Sequence, residues 1–217
     1  MENLSKELAN AGFKFREVAK NILLVEDFIS KDDIKYILNI VDKTSNEDWS
    51  KHYIENLKGF ALQKFNSDDI EKLVEENKLE ITSNWHDKNL NIRGNPIVDM
   101  IYFKIDSFLR LSKEKLSVDG CDVVQRMYSG VQLYSHVDQD TDPSIQFASI
   151  IYLNDDYVDG EIFFEKLNFQ IKPPSGSLLI FPGSSEYHHG VRTVGDGPIR
   201  YVLAGFIKIK DFYKNKI

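Results

Sequence analysis

Gln132-Leu133-Tyr134-Ser135-His136-Val137-Asp138 is the stretch on which the reading of this chain turns. It reads as a short strand over Gln132–His136 that runs into a histidine and an aspartate two apart. On a strand, residues i and i+2 face the same side. The His136 imidazole and the Asp138 carboxylate therefore converge on one point, with Val137 on the other face. A third ligand must come from elsewhere. The chain has five histidines, His52, His86, His136, His188 and His189, and the last two, 52 and 53 residues beyond His136, are the available partners. Two histidines and one carboxylate on one face of a metal leave positions open, which suits Fe(II) that must bind both a co-substrate and oxygen.

The sequence around this stretch is punctuated for β structure. All six prolines lie at Pro96 or later, and only Gly12 and Gly59 of the twelve glycines precede residue 90. Short strands separated by turn signals are expected at Asp122–Tyr128, Gln132–His136, Ile145–Leu153, Glu161–Phe164, Asn168–Ile171, Ser177–Phe181, His188–Val194 and Arg200–Ile209, a pattern of sandwiches and jelly rolls. The first half reads as mostly helical. Ile22–Phe28 is an apolar, β-branched run expected as a first strand. Ser30 is an N-cap candidate for a helix over Lys31–Lys43, with Asp32 and Asp33 in its first turn and Ile34, Ile37, Leu38 and Val41 on one face. Thr44–Ser67 is irregular and could fold over the site as a lid. Asp68–Lys78 reads as a short helix. Asn95-Pro96 opens a stronger one, running to about Lys115.

The composition narrows the function. Lys and Arg total 27 against 34 Asp and Glu, a formal net charge of −7, which disfavours general binding to phosphate backbones. The lone Cys121 cannot form an internal disulfide, and Met1–Lys20 carries three glutamates with no continuous apolar stretch. With no membrane-spanning run in the sequence, a cytoplasmic, membrane-free protein is expected.

A basic residue completes the pattern. After His189-Gly190-Val191, a Gly195-Asp196-Gly197-Pro198 turn leads into Arg200, at the start of the next antiparallel strand. A guanidinium there can grip a carboxylate in two-pronged fashion. Taken with Tyr128-Ser129-Gly130, Ile151-Tyr152-Leu153-Asn154, Gly160-Glu161-Ile162-Phe163-Phe164 and Pro174-Ser175-Gly176-Ser177, the order and spacing of these phrases resemble the Fe(II)/2-oxoglutarate-dependent oxygenases, in the prolyl 4-hydroxylase-like branch. The resemblance covers about Asp122 to Phe206. It implies an α+β protein with a mainly β core: a single domain over 1–217, with a double-stranded β-helix (jelly roll) over 121–210 and supporting N-terminal helices within 1–120.

The same resemblance implies that His136, Asp138 and His189 hold iron. His189 is preferred to His188 because the family pattern is His-any-Val, leaving His188 as a neighbour of the site. It implies that Arg200 binds the remote carboxylate of 2-oxoglutarate, eleven residues beyond the distal histidine, and that Tyr128 and Tyr152 contact that co-substrate. O2 is consumed, succinate and CO2 are released, ascorbate is a further cofactor, and a C–H bond is hydroxylated, with peptidyl proline as the leading substrate. The chain departs from the pattern at Gln146 and Phe147, where many relatives carry an Arg, and at Asp159-Gly160, where many carry Gly-Gly.

The alternatives are a hydroxylase of a free amino acid or other small molecule and a non-oxygenase, cupin-like metal-binding or sugar-binding jelly roll. Asp140 and Asp142, beside the ligand strand, are candidates for a polar or basic substrate, though solvated loop carboxylates explain them as well. A hydrolase lacks a G-x-S-x-G motif. A nucleic-acid demethylase fits poorly, because the second arginine of that branch is replaced by Phe206.

Overall fold

The computed structural model describes residues 2–49, 89–110 and 115–213. The expected Asp68–Lys78 helix, the lid segment beyond Trp49, the last turns expected before Lys115, and His52 and His86 lie outside the described residues.

Two sheets form the core. The chain runs through α1 (Glu2–Asn10), β1 (Phe15–Ala19), β2 (Ile22–Val25), α2 (Lys31–Lys43), β3 (Asn89–Asn91), α3 (Pro96–Leu109), β4 (Leu116–Asp119), β5 (Val123–Met127), β6 (Leu133–His136), the one-turn α4 (Asp138–Thr141), β7 (Ile145–Tyr152), β8 (Ile162–Phe164), β9 (Phe169–Ile171), β10 (Leu178–Pro182), β11 (His189–Val191) and β12 (Arg200–Ile209). The larger sheet has eight strands in the order β1-β2-β10-β7-β12-β5-β3, with β4 also paired to β12; the smaller is β6-β11-β8-β9. Every strand pairing in both sheets is antiparallel.

Burial explains the sequence pattern. All four residues of β2 are buried. Leu23 and Val25 join the cluster packed against the helices, whereas Ile22 and Leu24 join the cluster between the sheets. In β10, Leu178 and Ile180 face the helices and Leu179 and Phe181 the interior. A strand covered on both faces has no solvent side, so it reads as a continuous apolar run rather than an alternation. The smaller sheet lacks such a cover: in β9, Gln170 is exposed between half-buried Phe169 and Ile171.

The helices begin where their capping chemistry dictates. The Ser30 hydroxyl accepts from the Asp33 N–H at 3.1 Å and the Asp33 carboxylate accepts from the Ser30 N–H at 3.1 Å, a reciprocal capping box. Asn95 caps α3 by accepting from the Ile97 N–H at 3.0 Å, with Pro96 at the first helical position. Ile37, Val41, Ile101, Ile105 and Phe108 carry these helices onto the outer face of the larger sheet.

The structure adds strands that the sequence reading does not contain. β1, β3 and β4 are three to five residues long, and they extend the larger sheet from the region before residue 120. The expected Ile22–Phe28 strand ends at Val25. β12 spans the expected Arg200–Ile209 and lies at the centre of the larger sheet, between β7 and β5. Among the described residues, no helix is long and apolar enough to cross a membrane.

Candidate active site

His136 closes β6 and His189 opens β11, and the two are directly paired across the antiparallel ladder. Gly190 permits this pairing: a Cβ there would collide with the Leu133 carbonyl and lie 2.7 Å from the Phe163 ring, so β11 fits between β6 and β8 only with glycine at that position. The expected strand over Gln132–His136 ends where the structure ends it. β6 ends at His136 and Asp138 begins α4, but Val137 keeps an extended backbone (φ −123°, ψ 125°), so the two-residue alternation still brings Asp138 to the His136 side.

The three side chains converge. Asp138 Oδ1 is 3.6 Å from His136 Nε2 and 3.8 Å from His189 Nε2. The three candidate ligand atoms lie within 4.8 Å of one another. Each imidazole also places its Nδ1 against a main-chain oxygen two residues earlier, His136 on Tyr134 O at 2.9 Å and His189 on Tyr187 O at 3.0 Å. With Nδ1 donating to a carbonyl, the lone pair of each ring is on Nε2, aimed at the common centre; this is the orientation a metal-binding histidine needs.

The electrostatics of the three differ. His189 is buried, with the rings of Phe181 at 4.6 Å and Phe164 at 5.9 Å, and burial lowers its pKa to about 4, keeping it neutral. His136 is more open, its side chain 40% exposed. Burial lowers its pKa, but the Asp138 carboxylate and the Tyr134 carbonyl outweigh this and hold it above the usual value. Asp138 is buried, and its Oδ2 has no hydrogen-bond partner. A buried carboxylate oxygen left without a donor fits a cation. His188, one residue before β11, is half-buried and outside this cluster.

The second part of the site is a cation with no counter-ion among the described residues. Arg200 is 2% exposed. Its Nη2 is 3.5 Å from the Tyr152 hydroxyl and its Nη1 3.6 Å from Met127 Sδ, and its Nε has no partner. No carboxylate among the described residues pairs with it. Tyr152 and Val202 belong to the cluster between the sheets that also contains Phe164 and Phe181, so the guanidinium and the histidine–aspartate group open on one interior. Removing a guanidinium from water costs several kcal/mol unless an anion compensates.

The expected tyrosines separate. Tyr152 is fully buried at Arg200, and burial pushes its hydroxyl well above the usual range, so it remains a protonated donor. Tyr128 follows the end of β5, with its ring centroid 5.1 Å from the Arg126 guanidinium. Arg126 in turn lies 3.9 Å over Trp49, which belongs to the helix-side cluster. It is Met127, the cross-strand partner of Arg200, that touches the guanidinium. Asp142 is engaged by the Ser144 hydroxyl at 2.6 Å, the Tyr213 hydroxyl at 2.7 Å and Lys208 Nζ at 3.2 Å, so it supports the loop beside the site, while Asp140 is exposed. Tyr157, which no motif points to, is buried with its ring 5.7 Å from the Arg200 guanidinium.

Residues 123–208 match the family model of the 2OG-Fe(II) oxygenase superfamily. This stretch, which contains His136, Asp138, His189 and Arg200, carries the pattern of that superfamily. The match supports an Fe(II)- and 2-oxoglutarate-dependent oxygenase. The chain has the fold of prolyl hydroxylases. A truncated form of the viral collagen prolyl hydroxylase vCPH from Paramecium Bursaria Chlorella virus-1 aligns with a TM-score of 0.59 at 19% identity, covering 88% of this chain and 90% of that one. The 2OG complex of vCPH aligns with a TM-score of 0.58 at 19% identity, over 89% and 99%. A Pseudomonas putida prolyl-4-hydroxylase aligns with a TM-score of 0.53 at 13% identity, over 95% of each chain. No curated protein matches the sequence.

Proposed function

We propose that the protein hydroxylates a C–H bond of a prolyl residue in a peptide, with decarboxylation of 2-oxoglutarate to succinate and CO2. His136 Nε2, Asp138 and His189 Nε2 hold Fe(II), and Arg200 holds the remote carboxylate of 2-oxoglutarate. The observation that carries this reading is the fully buried Arg200, lacking any carboxylate partner among the described residues, in the interior onto which the His136–Asp138–His189 group opens.

When bound, the iron supplies the oxygen activation and the oxidation of the C–H bond. The chain supplies position and exclusion of water. The Nδ1 contacts of His136 and His189 fix both rings with Nε2 inward, and the buried Asp138 adds the negative charge that favours a divalent ion. Arg200 forms a charge-assisted pair with the carboxylate, and the Tyr152 hydroxyl donates alongside it. Phe164, Phe181 and Val202 keep the interior dry, which strengthens both interactions. The more open face of His136 is the side from which a substrate approaches.

Peptidyl proline is favoured by the likeness in fold to the viral and bacterial prolyl hydroxylases. A free amino acid or other small molecule is the second reading. The test is succinate formation from 2-oxoglutarate with Fe(II), screened against proline-containing peptides and free amino acids. Turnover stimulated by the peptides is expected; stimulation by free amino acids alone would overturn the peptide assignment. Arg200→Ala should weaken 2-oxoglutarate binding by about 100-fold, the worth of a buried charge-assisted pair. Unchanged affinity in that variant would refute the Arg200 role.

A further inference from the structure

We propose that Tyr157 is a third binding residue for the co-substrate, its hydroxyl donating to the same remote carboxylate as Arg200 and Tyr152. The inference rests on the reading above and adds a contact that neither the spacing of the motifs nor the strand pattern indicates.

Tyr157 is 1% exposed, and its hydroxyl is buried with no hydrogen-bond partner. A phenol that loses its water on folding and finds no partner is destabilising unless a ligand supplies one. The Arg200 guanidinium carbon lies 5.7 Å from the Tyr157 ring centroid and 5.2 Å from that of Tyr152. Arg200 Nε is likewise buried and unpartnered. The orphaned Tyr157 hydroxyl thus belongs to a residue beside a cation that itself has an unpartnered N–H and that no carboxylate among the described residues neutralises. Tyr152 completes the set. By accepting from Arg200 Nη2 at 3.5 Å it keeps its own hydrogen free to donate. The ligand that answers all of these groups is a carboxylate: acceptor-only, singly negative, with two oxygens and lone pairs for several donors.

The ring is held in place from behind. Lys172 Nζ donates to the Tyr157 main-chain oxygen and stands 4.5 Å from its ring centroid. Gly160 closes the turn beneath it: with φ at +67°, its backbone passes so near that a Cβ would lie 3.4 Å from the ring. Tyr157 also meets a local need. The cross-strand neighbour of Arg200 is Met127, a thioether that cannot donate to a carboxylate. A donor missing from β5 is supplied by the loop after β7.

The experiment is anaerobic calorimetry on the Fe(II)-loaded protein, titrated with 2-oxoglutarate and, separately, with 2-oxobutanoate, which keeps the keto-acid head and lacks the remote carboxylate. Tyr157→Phe removes one oxygen and leaves the ring. It should weaken 2-oxoglutarate about 10-fold, the worth of one hydrogen bond to a charged group, and leave 2-oxobutanoate and Fe(II) affinity unchanged. Equal weakening of both keto acids would show a structural role and overturn the inference. So would unchanged 2-oxoglutarate affinity in Tyr157→Phe alongside a loss in Arg200→Ala, in which case the site reading stands. Unchanged affinity in both variants would overturn that reading as well.

Discussion

Adjacent histidines in one sequence have opposite fates. His189 is the first residue of β11, pairs with His136 and is buried against Phe164 and Phe181; His188 precedes the strand and is outside the cluster. His189→Ala should therefore reduce Fe(II) affinity by more than about 100-fold, beyond the loss typical of an outer-shell contact. His188→Ala should leave it near the parent value. Equilibrium dialysis against Fe(II) under anaerobic conditions separates the two. The convergence of His136 and Asp138 was legible in the sequence because a two-residue spacing projects to one side of any extended backbone, including the single extended residue Val137 that links β6 to α4. The surroundings of the tyrosines were less legible. A one-residue offset at the end of a strand turns a side chain to the opposite face. Tyr128 and Met127 differ by that one residue, and the methionine sits at Arg200 while the tyrosine lies beside Arg126. Tyr157 was hidden for another reason: it lies in an irregular loop, where periodicity gives no direction.

At the scale of elements, long apolar strands were the readable ones. β2, β7, β10 and β12 are covered on one face by helices and on the other by the smaller sheet, and their composition carries that double burial. β1, β3 and β4 are short and mixed in polarity, and their conformation is imposed by the neighbour each finds, β2, β5 and β12 respectively. One contact joins such a strand to the centre of the sheet. Cys121, just after β4, lies against Gly205 of β12, where a Cβ would collide with the thiol sulfur and come within 2.9 Å of the Asp119 carbonyl. Gly205→Ala should lower stability by about 1–3 kcal/mol through overpacking, measurable by denaturant unfolding. The same burial pushes the Cys121 thiol up to about 12, with its Sγ 3.7 Å from the Ser149 hydroxyl. Thiol-specific labelling at pH 8 should proceed only as the protein unfolds; rapid labelling of the native protein would contradict this placement.

Over the whole molecule, charge ties the last strand to the loop beside the His136–Asp138–His189 group. Lys208 of β12 reaches both Asp119 at 2.6 Å and Asp142 at 3.2 Å. Burial would raise the Asp142 carboxyl, but hydrogen bonds from Ser144 and Tyr213 together with Lys208 hold it down at about 2 against an ordinary 3.8. The unfolded chain then takes up this proton at a higher pH than the folded one. The contribution to stability is complete above 3.8 and is lost as pH falls through about 2. Asp142→Asn should lower the melting temperature at neutral pH, and the gap between variant and parent should close in that acid window; a pH-independent gap would exclude the linkage. The position of β12 has a consequence for biogenesis. This strand separates β7 from β5 in the larger sheet, so it joins the two halves of that sheet, and it carries Arg200. A nascent chain still lacking residues 200–209 has His136, Asp138 and His189 but neither the centre of the sheet nor Arg200, the cation proposed to anchor the co-substrate. On the proposed assignment, the co-substrate pocket is thus complete only once synthesis has passed β12.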